Sequence, residues 1–300
     1  MSKTLLLLIF LGVFSMLTNG QECAMSRAFL QPDEGGAKQR AVWADANNSS
    51  LMFAEGLNVN TDGTRRSYSI TDFGGHDNAI NNLCNAMGDA CEGVSFSGRR
   101  QITQAAFAAG WPPDQLARTK ISSSIIPFKN GKPCAPVDGF LVSATSLHKR
   151  VITDPCDITN YVDSLEVAAL VLPKGQNGFS TRGAKVGDLA VVMLPNSTTP
   201  VFAVIGDSGP SKELGEGSVA LAGRLLGKTE PPKNYDEIRG RGAFVGRGWV
   251  VPKSFVLIFP RTLNEQNPFM STERINEAAQ RKFEDWGGLA RLQACIQAYH

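Results

Sequence analysis

The sequence predicts a mainly β protein built on a closed or partly closed β-barrel, with one short helix inserted among the strands. Three observations carry this expectation. Short β-rich runs follow one another between residues 121 and 262, in "SSIIPF", "GFLVSATSL", "SLEVAALVLP", "GDLAVVMLP", "VFAVIGD" and "SFVLIFP". Gly, Pro, Asn and Asp separate them as turn residues do. One helix stands out among them, "EGSVALAGRLLG", with Glu216 or Ser218 at its start and Gly227 at its end. A single inserted helix does not make repeated βαβ units, so a barrel is favoured over a parallel sheet.

Taken in order, residues 1–20 read as a secretory signal peptide. Lys3 precedes the apolar run "TLLLLIFLGVFSML", and "TNG" offers small residues for cleavage before Gln21. The run is short for a membrane span, and no later run matches it, so the expectation is a secreted chain with no membrane contact after cleavage. Residues 21–120 read as a mixed N-terminal extension packed on the core. In it "NVNTDGTRRS" and "TDFGGHDN" look like loops, "NAINNLCNAM" and "QITQAAFAAG" like short helices, and Trp111-Pro112-Pro113 like a helix stop. Residues 121–262 hold the barrel, within which "GDLAVVMLPNSTTPVFAVIGD" reads as a hairpin. Residues 263–300 read as a C-terminal amphipathic helix, with Ile275, Ala279, Phe283 and Trp286 on one face and an interruption at Gly287-Gly288. A monomer is expected.

All six cysteines lie beyond the signal. In an exported chain an even number suggests disulfides, with fifteen possible pairings; Cys84 could close a short loop with Cys91, Cys134 a longer one with Cys156, and Cys23 with Cys295 could tie the termini together. Neither these spacings nor the scattered His76, His148 and His300 fit a metal site, so no metal or other cofactor is expected. The net charge of +2 loses one unit with Lys3. No basic block interleaved with aromatics is present, which argues against a nucleic-acid partner. Asn47, Asn48 and Asn196 stand in Asn-x-Ser/Thr sequons.

The chemistry concentrates in "VFAVIGDSGPSKELGEGSVALAG". Asp207 and Glu216 stand at the two rims of a glycine-rich loop. Each has a plain structural use, Asp207 as a turn stabiliser and Glu216 against a helix N-terminus. The alternative is a pair of carboxylates flanking a groove, one protonated and one ionised, as glycosidic cleavage requires.

The segments "YVDSLEVAALVLP", "GDLAVV" and "VFAVIGDSGPSKELGEGSVALA" resemble the chitosanases of glycoside hydrolase family 75. In that family a strand ends in Gly-Asp, a short loop follows, and Gly-Glu precedes a Ser-x-Ala helix. The resemblance implies that Asp207 and Glu216 are the catalytic carboxylates of an endo-acting, inverting hydrolase cutting β-1,4 bonds between glucosamine units of chitosan. The same motifs look like parts of a double-psi β-barrel. That fold's other members supply two alternatives, a peptidoglycan lytic enzyme and a non-hydrolytic, expansin-like polysaccharide-binding protein. The residues before 121 and the terminal helix match nothing in the family.

Glu216 is expected to be the acid, if apolar neighbours such as Val219 raise its pKa, and Asp207, at a wetter loop edge, the base. A cationic substrate calls for further acids to bind and steer it. The candidates are Asp163 and Glu213. Asp163 and Glu166, three apart on a presumed strand, would face opposite sides, and Asp163 lies within the resembling segment. Tyr161, and with it Trp111, Trp249 and Phe179, is a candidate sugar-stacking ring, each with a core role as the alternative.

Overall fold

The computed structural model describes residues 22–33, 38–210 and 214–299. Residues 1–20, expected to be a signal peptide, and Glu213 lie outside the described residues.

Strands β1 (Ser26–Pro32) and β2 (Gln39–Ala44) form an antiparallel hairpin that hands over to β3 (Leu51–Asn60). A two-residue ladder follows, β4 (Phe128–Lys129) with β5 (Lys132–Pro133). The remaining strands are β6 (Ala169–Pro173), β7 (Leu189–Met193), β8 (Val201–Gly209), β9 (Glu216–Ser218) and β10 (Val251–Phe259). β3 pairs antiparallel with β10, β10 with β7, and β7 with β8. β8 then runs parallel to β6, β6 antiparallel to β9, and β9 parallel to β3. The circuit closes a six-stranded mixed β-barrel.

Alternation along these strands builds two cores. Leu51 and Phe53, Leu170 and Leu172, Ala190 and Val192, Ala203 and Ile205, and Val256 and Ile258 meet in one buried cluster. Helix α4 (Val219–Leu226) adds Val219, Leu221, Ala222 and Leu225 to it. Ser218 caps this helix, its hydroxyl accepting from the Leu221 amide at 3.1 Å, and Gly227 ends it in the left-handed region. The intervening residues, among them Val191, Met193, Phe255 and Leu257, pack against the C-terminal helices α6 (Thr272–Trp286) and α7 (Gly288–Tyr299) through Phe283, Trp286, Leu292 and Ile296. Each fully buried aliphatic or aromatic side chain contributes about 1.5–3 kcal/mol. The break at Gly287 matches the sequence expectation, and Cys23–Cys295 ties α7 to the start of the chain. Cys84–Cys91 and Cys134–Cys156 are the other two bridges.

A third cluster gathers Tyr68, Phe73, Leu83, Met87, Ala106, Trp111, Ile126 and Leu141 beside the barrel. Here α1 (Phe96–Ala108) ends shortly before Trp111-Pro112, and α2 (Pro113–Thr119) begins at the second proline. Two short helices, α3 (Gly178–Thr181) and α5 (Tyr235–Arg239), complete the helical set used below.

The structure corrects the sequence reading in two places. "SSIIPF" is a turn up to Phe128, which opens the two-residue β4, and "GFLVSATSL" holds only isolated bridges, such as Tyr68 with Leu141, rather than a full strand. Their Ile126 and Leu141 are apolar because they fill the third cluster. The region 21–120 is also more than an extension, because β3 is one of the six barrel strands. Among the described residues no helix is long and apolar enough to cross a membrane.

Candidate active site

Strand register sets the site. Asp207 pairs with Val171, Val171 with Glu216 on its other side, and Glu216 with Asn58. The four residues make one rung across β8, β6, β9 and β3, and directly paired residues share a face of the sheet. Leu170 and Leu172 point into the barrel core, so Val171 and its rung face outward. Asp207 and Glu216 are thus two strand spacings apart, about 10 Å between Cα atoms.

A β-bulge puts Asp207 on that face. Leu170 pairs with Ile205, but the next residue, Val171, pairs with Asp207, which leaves Gly206 as the extra residue of β8. Ile205 belongs to the barrel core. Without the bulge, the period of two would send Asp207 inward after it. Glycine is required at 206, where a Cβ would stand 2.8 Å from the Cβ of Ala169.

A third carboxyl completes the cluster. Beyond Asn60 the chain turns, and the Asp62 amide donates to Asn60 Oδ1 at 2.8 Å. Gly63 follows at φ +87, against the Val162 carbonyl, where a Cβ would stand 1.9 Å from that oxygen. Tyr68 donates its phenolic hydrogen to Asp62 Oδ1 at 2.9 Å, and the Ser143 hydroxyl donates to the same oxygen at 3.2 Å. Behind Tyr68, Asn81 Nδ2 donates to the phenolic oxygen at 3.2 Å.

Asp207 Oδ1 accepts from the Ser146 amide at 2.9 Å, the Ser146 hydroxyl at 2.7 Å and the Ser208 amide at 2.7 Å. Asp62 and Asp207 line a narrow cleft together with Thr145, Val162 and Ser164. Its free volume of about 10 Å³ suits a single water molecule.

Burial and neighbouring charge set the protonation of this cluster. Burial first, then the negative charge of Asp207 and finally that of Glu216, push Asp62 from 3.8 up to about 8, against the pull of the Tyr68 and Ser143 hydroxyls. Burial also raises Asp207 above the ordinary carboxylate value, despite the Ser146 and Ser208 donors. The Tyr68 phenol is pushed well above its usual range by burial and then by Asp62. At neutral pH the cluster therefore holds a proton on Asp62.

The sequence candidates separate on this map. Asp207 is not at a wet loop edge but inside β8, surrounded by protein and open to solvent over only part of its surface. Glu216 opens β9, and Ser218 takes the capping position of α4. Asp163 and Glu166 sit in a turn rather than a strand, with the Glu166 and Val167 amides both bonding the Asp163 carbonyl. The Asp163 carboxylate accepts from the Leu165 amide at 2.9 Å and lines a neighbouring hollow, not the acid cluster. Tyr161 bonds the Pro155 carbonyl at 2.9 Å. Trp111, Trp249 and Phe179 are buried in the cores. The residues missed from sequence are Asp62, Tyr68, Asn81, Ser143 and Ser146. Only the Asp62-Gly63 pair carried a local signal, and that signal was for a turn.

No group of three or more His, Cys, Asp or Glu among the described residues is arranged to hold a metal ion. No protein-family model matches the chain, and no curated protein matches it.

Proposed function

We propose that this protein is an endo-acting glycoside hydrolase that cuts β-1,4 bonds in a glucosamine-containing polysaccharide, with Asp62, Asp207 and Glu216 as its reacting carboxyls. The observation that carries the reading is the convergence of three acids on one barrel face, with the proton of the cluster on Asp62 at neutral pH. Glycosidic cleavage by inversion needs one protonated and one ionised carboxyl on opposite sides of the scissile bond. Asp62 and Asp207 line one narrow cleft whose free volume of about 10 Å³ suits a single water molecule, the co-reactant that inversion requires.

In this reading Asp62 gives its proton to the leaving glycosidic oxygen. Two hydroxyls donate to Asp62 Oδ1, which leaves Oδ2 to carry that proton. Asp207, fixed by three donors on Oδ1, takes a proton from the water that attacks the anomeric carbon. The bond from that carbon to the leaving oxygen breaks, and solvent restores the two protonation states. Glu216, the acid expected from sequence, instead supplies negative charge to the oxocarbenium-like transition state and to protonated amino groups of the chain.

The parallel pairs β6–β8 and β3–β9 within an otherwise antiparallel circuit support the double-psi kind of barrel. The apolar run after Lys3, read as a signal peptide, supports an extracellular setting.

The test is reducing-end release from highly deacetylated chitosan by the mature, disulfide-intact protein, beside folded Asp62→Asn, Asp207→Asn and Glu216→Gln variants. Activity that falls at least about 100-fold in the first two supports the assignment. A parent silent on chitosan but active on peptidoglycan, or one that only binds polysaccharide, overturns it.

A further inference from the structure

We infer that the loop from Arg239 to Gly248 is a second binding surface, separate from the acid cleft, for an acidic polysaccharide that carries carboxylates, a polyuronate. The inference is independent of the hydrolase reading.

The surface is one-sided in its charge. Residues 238–250, "IRGRGAFVGRGWV", hold three arginines and no acid. The fold gathers them. The Trp249 amide bonds the Ile238 carbonyl at 3.0 Å and closes the segment between them into a compact loop of the Ω kind. Gly240 and Gly248 meet at its neck, where a Cβ on Gly248 would stand 3.2 Å from the Gly240 amide nitrogen. Arg239 and Arg241 flank one of these glycines and Arg247 the other, so their Cα atoms lie within about 12 Å. Lys228, just after α4, adds a fourth cation, its Nζ donating to the Arg247 carbonyl at 2.7 Å.

Among the described residues none of these four cations is ion-paired. Arg239 is exposed, and its side chain has no hydrogen-bond partner among those residues. Arg241 lies over the Tyr235 ring at 5.6 Å. Arg247 lies over the Phe244 ring at 5.8 Å and bonds the Ala243 carbonyl. These contacts orient the guanidinium groups and leave most of their in-plane donors to a partner. The neighbouring acids are turned elsewhere. Asp236 holds the His76 ring at 2.9 Å, and Glu237 accepts from the Lys233 amide at 3.0 Å and the Trp249 indole at 3.3 Å. Glu230, two residues after Lys228, is exposed and pairs with none of the four.

Like charges gathered in this way add their fields, and a chain with a negative charge on every unit meets several of them at once. Guanidinium forks match carboxylates bidentately. A single-stranded nucleic acid needs open aromatic faces for stacking, and both rings here are covered, Phe244 by Arg247 and Trp249 by Lys228 at 5.1 Å. A lipid surface needs a broad apolar face, and Val245 is the one large apolar side chain of the loop that is well exposed. The extracellular setting proposed above favours an acidic polysaccharide over double-stranded DNA. A protonated amino polymer is repelled here, and no residue of the loop lines the acid cleft.

The experiment is titration of the mature, disulfide-intact protein with polygalacturonate at low and at physiological salt, with dextran as the uncharged control. Binding that weakens as salt rises, and that is absent with dextran, is the expected result. Arg239→Gln, Arg241→Gln and Arg247→Gln together should lower the affinity at least about tenfold, and Arg239→Gln alone about two- to fivefold. Arg239→Lys, Arg241→Lys and Arg247→Lys together should recover part of it, which separates charge from loop packing. Arg27→Gln, Arg150→Gln and Arg281→Gln together remove the same charge from exposed positions elsewhere and should bind as the parent does. No binding of polygalacturonate at low salt, an equal loss in that control, or no loss in the loop variants overturns the surface. Tighter binding to double-stranded DNA or to phosphatidylserine vesicles than to polygalacturonate overturns the partner class.

Discussion

Tyr68 and Asp62 form a directional pair in which the phenol donates to the carboxyl at 2.9 Å while Asn81 donates to the phenolic oxygen. The pair joins the two halves of the molecule. Tyr68 is packed in the third cluster beside the barrel, and Asp62 stands at the end of the β3 strand of the barrel wall. The protonation of the candidate site therefore depends on how a helical subregion is docked, not on the barrel alone.

Tyr68→Phe removes a donor that holds the Asp62 pKa down and takes away one of the two acceptors of Asn81 Nδ2, which keeps Thr61 Oγ1 at 2.9 Å. The Asp62 pKa should rise further above about 8, and stability should fall by about 1–3 kcal/mol. A pH–rate profile whose alkaline limb moves upward, together with a lower unfolding midpoint, is the expected outcome. A limb that stays put would mean that the phenol does not bond the carboxyl in solution.

Asp62→Asn tests the same group through stability. The native pKa of about 8 stands above the unfolded value of 3.8, so between these two the native state holds a proton that the unfolded state has released. Stability then falls as pH rises through that window and levels off above it. The variant keeps the Tyr68 and Ser143 bonds through its amide oxygen and carries no ionisation cost. It should match the parent's stability at pH 4 and exceed it at pH 8 by about 2–4 kcal/mol after allowance for partial exposure, read as a higher unfolding temperature at pH 8 alone. Differential scanning calorimetry at both pH values decides this.

Much of the barrel was legible because its signals are local. β7, β8 and β10 are continuous apolar runs between turn residues, and α4 carries its own cap and stop. β3 was hidden because "LMFAEGLNVN" is interrupted by Glu55-Gly56. Glu55 is paired with Arg40, and a Cβ on Gly56 would stand 3.0 Å from the Pro252 carbonyl. Asp207 and Glu216 stood out by their flanking glycines. Asp62 did not, because what makes it chemical comes from Tyr68, Ser143 and the Asp207 charge, each brought by a different part of the chain. Asp163 misled for the converse reason. Its segment looks like a strand, yet its carboxylate closes a turn onto the Leu165 amide.

Replacing both Cys23 and Cys295 with Ser opens a loop closed over a sequence separation of 272. The chain-entropy estimate for so long a loop is about 5.6 kcal/mol. Part of the tether survives, because Tyr299 bonds the Met25 carbonyl and Arg291 the Cys23 carbonyl. The unfolding midpoint should fall, while reducing-end release per folded molecule should hold, since the acids sit on β8, β9 and the chain beyond β3. An activity loss larger than the folded fraction explains would tie the C-terminal helices to the site.

Gly206→Ala tests whether the bulge, rather than the presence of Asp207, makes the site. The added Cβ meets the Ala169 Cβ at 2.8 Å, inside ordinary contact, so β8 and β6 must separate or the bulge must slide. Overpacking of this kind costs about 1–3 kcal/mol. If the bulge slides, Asp207 turns toward the barrel core and leaves the rung it shares with Glu216. Activity on chitosan should then fall far more than thermal stability, by at least about 100-fold, although every carboxyl is still in the chain. Ala169→Gly in the same molecule removes the opposing Cβ and should restore much of the rate. Rescue by that second change would identify the close approach of β6 and β8 as the feature that aims Asp207. A Gly206→Ala protein with full activity would mean that Asp207 needs no bulge to reach its substrate.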